Sequence, residues 1–163
     1  MISRFYVLLN KRQEFDIIPS TSDTEESMAS IFPSPEWLED LNKKLNSDTN
    51  YARIARNWEG DMCVVIEPGG PITETQFYYL DLWHGKCRKT ELLKDLSTMD
   101  PKYVLTATYE NISRIMKGEL DPMQAMMTRK LQVHGSMAYM LRNVPTVLDF
   151  VRCCRDVTTE ILS

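Results

Sequence analysis

The sequence predicts an α+β domain, and three observations carry that prediction. Apolar residues between positions 34 and 60 recur at helical spacing, whereas those between 62 and 108 form short runs rich in β-branched and aromatic residues. From Thr108 onwards the helical spacing returns, interrupted by one short alternating stretch. Two helices, a group of strands and then helices around a last strand are typical of an α+β fold.

Two helices are predicted at the start of this domain. Ser34-Pro35-Glu36 places a capping hydroxyl, a proline and an acid where a helix begins. The apolar residues that follow at helical spacing are Trp37, Leu38, Leu41 and Leu45. Ser47 or Asp48 then caps a second helix, which ends before Gly60 and whose apolar residues are Tyr51, Ile54, Ala55 and Trp58.

The middle of the chain predicts strands in meander order, which favours antiparallel pairing. The first strand, Met62–Ile66, ends at the turn sequence Pro68-Gly69-Gly70-Pro71. A second runs from Phe77 through His84, and a tight turn at Gly85-Lys86 leads into a third, Cys87–Leu93. Tyr103–Thr108 is the fourth.

Helical patterns dominate the remainder. Thr108 caps a helix that ends at Gly118. Asp121-Pro122 starts another, on which Met123, Met126 and Met127 are expected to share one face because they are spaced i, i+3 and i+4. Residues 131–134 alternate like a strand, and 137–161 are helical in pattern, with Pro145 beginning the last helix.

Composition excludes several classes of protein. The chain has 163 residues, of which 43% are hydrophobic and 26% charged, as in an ordinary soluble domain. Its net charge of −4 and isoelectric point near 5.2 argue against nucleic acid as a partner and do not favour anionic membranes. The apolar run Phe5–Leu9 is too short for a signal peptide or a membrane span, so we expect a cytoplasmic location. Reduced thiols are expected at the four cysteines, Cys63, Cys87, Cys153 and Cys154.

The chain divides into two parts. Residues 20–30 are almost wholly small, polar or acidic and have too little apolar surface to order themselves. We therefore predict an N-terminal appendage and acidic linker over residues 1–30 and a folded domain over residues 31–163.

Residues able to perform catalysis are sparse. Only His84 and His134 could act as a general base, and no nucleophile motif accompanies either of them. His84 and Cys87 form at most half of a metal site, and Gly69-Gly70 lies between prolines and lacks the residues of a phosphate-binding loop. We expect no catalytic residues, no metal and no cofactor.

Methionine is the one unusual component. Six of the ten methionines lie within 25 residues, namely Met116, Met123, Met126, Met127, Met137 and Met140. Methionine is flexible and polarisable and suits apolar surfaces that must adapt to a partner. The cluster is consistent with a methionine-rich core, with a pocket for a long aliphatic ligand, or with a groove for a partner helix.

Four segments together resemble the sterol carrier protein 2 family. They are Trp58-Glu59-Gly60, the strand and helix cap over Tyr103–Ile112, the segment Gly118–Ala125 with its Leu-Asp-Pro, and Lys130-Leu131-Gln132-Val133-His134-Gly135. The resemblance covers about residues 31–155. Glu119, Arg129 and Ser136 depart from the family pattern, which usually has Lys, Gly and Asp at these places.

The resemblance implies a mostly antiparallel five-stranded sheet covered on one face by about five helices, enclosing a hydrophobic tunnel. It implies a non-catalytic lipid-binding or lipid-transfer protein for a sterol, fatty acid, fatty acyl-CoA or similar ligand. The alternative is an accessory interaction module, dimeric or not, that acts with a lipid-metabolising enzyme. Monomer and homodimer both fit, with at most transient membrane contact. The expected lipid-binding residues are Ile112, Ile115, Met116, Met123, Met126, Met127, Leu131, Val133, Met140, Leu148 and Val151.

Overall fold

A five-stranded mixed sheet packed against helices forms the body of the protein, as predicted. The computed structural model describes residues 30–163. Within that range six helices are present: α1 (Pro35–Ser47), α2 (Thr49–Ile54), α3 (Tyr109–Lys117), α4 (Pro122–Met127), α5 (Met137–Arg142) and α6 (Val144–Asp156). The predicted appendage, including Phe5–Leu9, lies outside the described residues.

The strands form two sheets. The main sheet has the order β4-β3-β2-β5-β6, from β2 (Met62–Glu67), β3 (Gln76–Trp83), β4 (Lys86–Leu93), β5 (Tyr103–Thr108) and β6 (Gln132–His134). Two short strands, β1 (Ile31–Phe32) and β7 (Glu160–Ile161), pair with each other in parallel.

The meander prediction is correct for the first three strands of the main sheet and wrong for the fourth. β3 pairs antiparallel with β2 and with β4, but β5 returns to the other side of β2 and runs parallel to it, Met62 opposite Tyr103. β6 then pairs antiparallel with β5. β2 is therefore the central strand, and the chain from residue 94 to 102 has to carry β5 past β3 and β2.

Helix starts follow the predicted capping chemistry closely. The side chains of Ser34, Asp48, Thr108 and Asp121 each accept a hydrogen bond from a backbone N–H of the first turn. Gly118 ends α3 in a left-handed conformation, and its N–H donates to the carbonyls of Arg114 and Ile115.

Three local predictions need correction. The β3–β4 turn is His84-Gly85 rather than Gly85-Lys86, because both of its residues have positive φ, 48° and 77°. The last helix begins as predicted, with Pro145 in its first turn, but it ends at Asp156 and not near residue 161, and Glu160–Ile161 forms β7 instead.

The third correction concerns α4, whose buried face is Pro122, Ala125 and Met126. These residues are also spaced i, i+3 and i+4, so the helix carries two overlapping apolar stripes and packs the other one inward. Met123 is half-buried, and Met127 is 69% exposed. The three methionines therefore do not share a buried face.

Candidate functional site: an apolar cavity between sheet and helices

A cavity of about 90 Å³ lies between the main sheet and the helices. Its floor is built by alternate residues of the central strands, because successive side chains of a strand point to opposite faces. The floor residues are Met62, Val64 and Ile66 on β2, Tyr78, Leu80 and Leu82 on β3, and Leu105 on β5.

The rest of the wall comes from every described helix and from three residues outside the helices and the main sheet. The helical lining consists of Trp37 and Leu41 (α1), Tyr51 (α2), Ile112, Ile115 and Met116 (α3), Pro122 and Met126 (α4), Met140 (α5), and Thr146, Val147, Phe150, Val151 and Cys154 (α6). Phe32, Trp58 and Leu131 complete it. The cavity is thus the centre of the hydrophobic core and not a surface cleft.

Several polar groups of the lining residues are already hydrogen-bonded to the protein. The Trp58 Nε1–H donates to the Gly60 carbonyl at 2.8 Å, and the Tyr78 hydroxyl donates to Gln76 Oε1 at 2.8 Å. The Thr146 hydroxyl donates to the Ile54 carbonyl at 3.3 Å. Because these polar groups already have partners within the protein, the surface that faces an occupant is mainly hydrocarbon. Such a surface favours apolar chains, which leave water when they bind.

Seven of the eleven residues expected to bind lipid lie around this cavity: Ile112, Ile115, Met116, Met126, Leu131, Met140 and Val151. Four do not. Met123 and Val133 are half-buried and pack against the core from outside the cavity, while Met127 and Leu148 are 69% and 41% exposed. The structure therefore brings the first group together and directs the last two side chains outward.

The floor of the cavity and the contributions of α1 and α2 are absent from the expected set. The signal for the floor in the sequence is the period-two spacing of large apolar residues at 62, 64 and 66 and again at 78, 80 and 82. That spacing identifies one buried face of each strand. It does not distinguish a face that lines a cavity from one that packs tightly against helices, so the floor could not be singled out.

Four methionines are part of the wall: Met62, Met116, Met126 and Met140. A volume of about 90 Å³ exceeds the roughly 10–15 Å³ that one water requires, yet it is small for a long-chain lipid. Unbranched methionine side chains can change rotamer with little strain. A wall rich in methionine is therefore one that can widen around an occupant.

The cysteines and histidines of the described residues do not form a catalytic arrangement. All four thiols are buried, and burial raises the pKa of Cys63 and Cys153 to about 11 and that of Cys87 to about 12. The pKa of Cys154 is also raised by burial. Thiols in this state stay protonated at neutral pH and are weak nucleophiles. His84 Nε2 lies 2.7 Å from Glu59 Oε1 at the surface, and His134 is exposed on β6.

One group of potential metal ligands is present in residues 30–163, formed by Asp48, Asp149 and Cys153. Arg152 already occupies the space between the carboxylates: its Nε donates to Asp149 at 2.7 Å and its Nη2 to Asp48 at 2.8 Å. The Arg152 guanidinium supplies the positive charge that these carboxylates need, so they require no metal ion. We therefore interpret the cluster as a structural ion pair. None of the helices in the described range is long and apolar enough to cross a bilayer.

Comparison with known proteins places this architecture. The model of the SCP-2 sterol transfer family matches residues 38–147, which is more than half of the chain. No curated protein sequence matches the chain significantly.

Solved structures are similar in fold. A crystal structure of sterol carrier protein 2 is 24% identical, with a TM-score of 0.70 over 77% of this chain and 98% of that one. A possible sterol carrier protein from Thermus thermophilus is also 24% identical, with a TM-score of 0.70 over 82% of this chain and 93% of that one. Apo sterol carrier protein 2 from Yarrowia lipolytica is 15% identical, with a TM-score of 0.52 over 73% and 89% of the two chains. With its sheet order, its apolar cavity and the family match in agreement, this chain belongs to the SCP-2 sterol transfer family.

Proposed function

We propose that the protein binds one long aliphatic or sterol-like lipid in the cavity between sheet and helices and carries it without chemical change. The observation that carries the proposal is the cavity itself, whose lining is contributed by apolar side chains from the central strands and from all six described helices. The thiols of the protein are protonated and its histidines lie at the surface. The cavity therefore holds a ligand without offering it a reactive group.

The binding energy would come from burial of hydrocarbon. Each CH₂ group transferred from water into such a lining contributes about 0.8 kcal/mol, so a long acyl chain can reach micromolar affinity with few polar contacts. The cavity has to enlarge to accept it, and rotamer changes of Met62, Met116, Met126 and Met140 supply that adjustment. A site of this kind selects by chain length and bulk more than by chemical class.

A pair of neighbouring methionines gives a sharp test. Met126 lines the cavity and is 4% exposed, whereas Met127, the next residue of the same helix, is 69% exposed. Met126→Gln places an amide against the bound chain, at a cost of about 1–3 kcal/mol. We expect it to weaken binding of a fluorescent long-chain fatty acid by roughly tenfold or more. Met127→Gln should bind as the wild type does.

Thermal melting of both variants provides the folding control, since binding is compared only at temperatures at which each is native. Equal affinities of Met126→Gln, Met127→Gln and wild type would contradict the placement of the ligand in this cavity. A wild-type protein, stripped of endogenous lipid, that binds no fluorescent fatty acid and no fluorescent sterol would contradict the proposed function itself.

A further inference from the structure

The charges of the chain are distributed unevenly. Its 23 acidic residues outnumber 19 basic ones, yet residues 122–148 contain no Asp or Glu. The same stretch carries Arg129, Lys130 and Arg142, all of them exposed. The net charge of −4 therefore conceals a locally cationic segment, which begins immediately after Asp121 and ends immediately before the buried Asp149.

Exposed apolar side chains lie in the same segment. Met127 on α4, Leu141 on α5 and Leu148 on α6 are 69%, 46% and 41% exposed. α6 contacts both α4 and α5, so the three helices are neighbours. We call the outer side of these helices, with Met127, Arg129, Lys130, Leu141, Arg142 and Leu148, the α4–α6 surface. It combines apolar side chains with cations on one part of the molecule.

This surface is the outer side of the cavity wall. Each of its exposed apolar residues directly follows a residue that lines the cavity: Met126 precedes Met127, Met140 precedes Leu141, and Val147 precedes Leu148. Because adjacent residues of a helix point in different directions, one side of each helix faces the cavity and another faces solvent. Only the thickness of one helix separates the cavity from the α4–α6 surface.

We propose that the α4–α6 surface docks onto the headgroup region of anionic lipid bilayers. Exposed Met and Leu side chains among Arg and Lys are the composition that suits the bilayer interface, where apolar groups insert and cations meet anionic headgroups. A two-fold copy of the same surface is a poorer occupant, since it would bring the same cations against each other. Docking here would place the outer side of α4, α5 and α6, three helices of the cavity wall, against the membrane. The inference deepens the proposed lipid-carrier function and rests on it.

Vesicle binding by the full chain tests the proposal. Wild-type protein should co-sediment with vesicles of mixed phosphatidylcholine and phosphatidylserine more strongly than with phosphatidylcholine alone, and added salt should weaken the binding. A triple variant, Arg129→Gln, Lys130→Gln and Arg142→Gln, should lose roughly fivefold in partitioning for each charge removed.

A matched control carries Lys43→Gln, Lys86→Gln and Lys94→Gln. These three lysines are exposed on α1 and at the two ends of β4, the edge strand opposite β6, and they change the net charge equally. This control should partition close to wild type. An equal loss of vesicle binding in both triple variants would assign the effect to overall charge and contradict the proposed docking surface. A wild-type protein that does not bind anionic vesicles would contradict it as well.

Two further measurements separate this proposal from the lipid-carrier function. Neither triple variant changes a residue of the cavity, so both should bind fluorescent fatty acid in vesicle-free solution with wild-type affinity. Vesicle binding through the α4–α6 surface without any fatty-acid binding would support the docking surface and contradict the proposed lipid-carrier function. Sedimentation velocity provides the second measurement. If the wild type is a dimer and the Arg129, Lys130 and Arg142 variant is a monomer, this surface is a subunit interface and the proposed membrane docking is wrong.

Discussion

Arg152 holds the end of α1, the start of α2 and the middle of α6 together. Its guanidinium donates to Asp48 and Asp149 at 2.7–3.1 Å and to Asp156 at 2.8 Å. Asp48 is also the N-cap of α2 and accepts from the Tyr51 N–H at 2.8 Å. One carboxylate therefore both starts a helix and anchors another to it.

The electrostatic part of this role can be isolated with Asp48→Asn. Asparagine caps helices as well as aspartate does, so the substitution removes the charge and keeps the cap. The hydrogen bond from Arg152, followed by that from the Tyr51 N–H, holds the pKa of Asp48 well below its usual range. We expect Asp48→Asn to lower the free energy of unfolding by about 1–2 kcal/mol at neutral pH, between the values for exposed and buried ion pairs.

The pH dependence follows from the direction of that shift. A lowered pKa in the folded state means that the contribution of Asp48 is fully present above the unfolded pKa of about 4 and declines as the pH falls below it. Urea unfolding at a series of pH values should therefore show the two proteins converging below about pH 4. A difference that stays constant into acid would assign the effect to the cap or to packing.

The ring of Tyr103 packs against two glycines, Gly60 and Gly135, that are far apart in the chain. In the sequence, Gly60 follows a predicted helix and Gly135 follows a strand-like stretch, and both lie in segments that resemble the family. In the structure both also leave room for the Tyr103 ring, because an added Cβ would lie 2.6 Å from the ring at Gly60 and 2.8 Å from it at Gly135. This role depends on a contact between segments far apart in the chain, which no local pattern contains.

Among the elements, the β3–β4 hairpin has the most sharply defined geometry. Both turn residues, His84 and Gly85, have positive φ, and a Cβ at position 85 would lie 2.7 Å from the backbone carbonyl oxygen of Ala52. Backbone atoms of α2 cannot move away as a flexible side chain could. The hairpin end is therefore fitted against α2.

We predict that Gly85→Ala lowers the free energy of unfolding by about 2 kcal/mol or more, because it adds strain at positive φ to a steric clash. The neighbouring His84→Asn is the control: asparagine tolerates positive φ, and its stability should equal or exceed that of wild type. Urea midpoints at a common m-value measure both. A neutral Gly85→Ala would mean that the α2 backbone yields at this point.

The elements that sequence reasoning located well are those with local signals. Ser34, Thr108 and Asp121 mark helix starts through side-chain capping, and β2 and β5 are visible as β-branched runs. The return of β5 to β2 could not be predicted from the strands themselves. Hydrophobic alternation fixes which side chains are buried but does not name the strand that accepts the backbone hydrogen bonds.

The α6 helix shows the same limit for the site. Its spacing fits equally a gate over a pocket and a packed core helix. The structure buries Val147, Phe150 and Cys154 and places all three around the cavity. A chain truncated after Asn143 would lose part of its core, so α6 serves as wall and scaffold together.

At the scale of the whole molecule, the described residues 30–163 contain one hydrophobic core cluster, with the cavity at its centre. The sequence predicts that the acidic linker separates this domain from the residues before it. We therefore expect deletion of residues 1–25 to leave the melting temperature and the affinity for a fluorescent fatty acid close to wild type. A melting temperature lowered by about 5 °C or more would place roughly 1–2 kcal/mol of stability in the deleted part and move the domain boundary.

The small β1–β7 sheet brings the two ends of the domain together. Ile31 pairs with Glu160, the Thr159 N–H donates to the Ser30 carbonyl at 3.1 Å, and the Leu162 N–H donates to the Phe32 carbonyl at 2.9 Å. The first and last residues of the domain are thus close enough in space to be joined. A short glycine linker from Ser163 to Ser30 would close the domain into a ring, and new ends could then open in the long connection between β4 and β5. A protein fused at Ser30 or after Ser163 would be held beside the same small sheet.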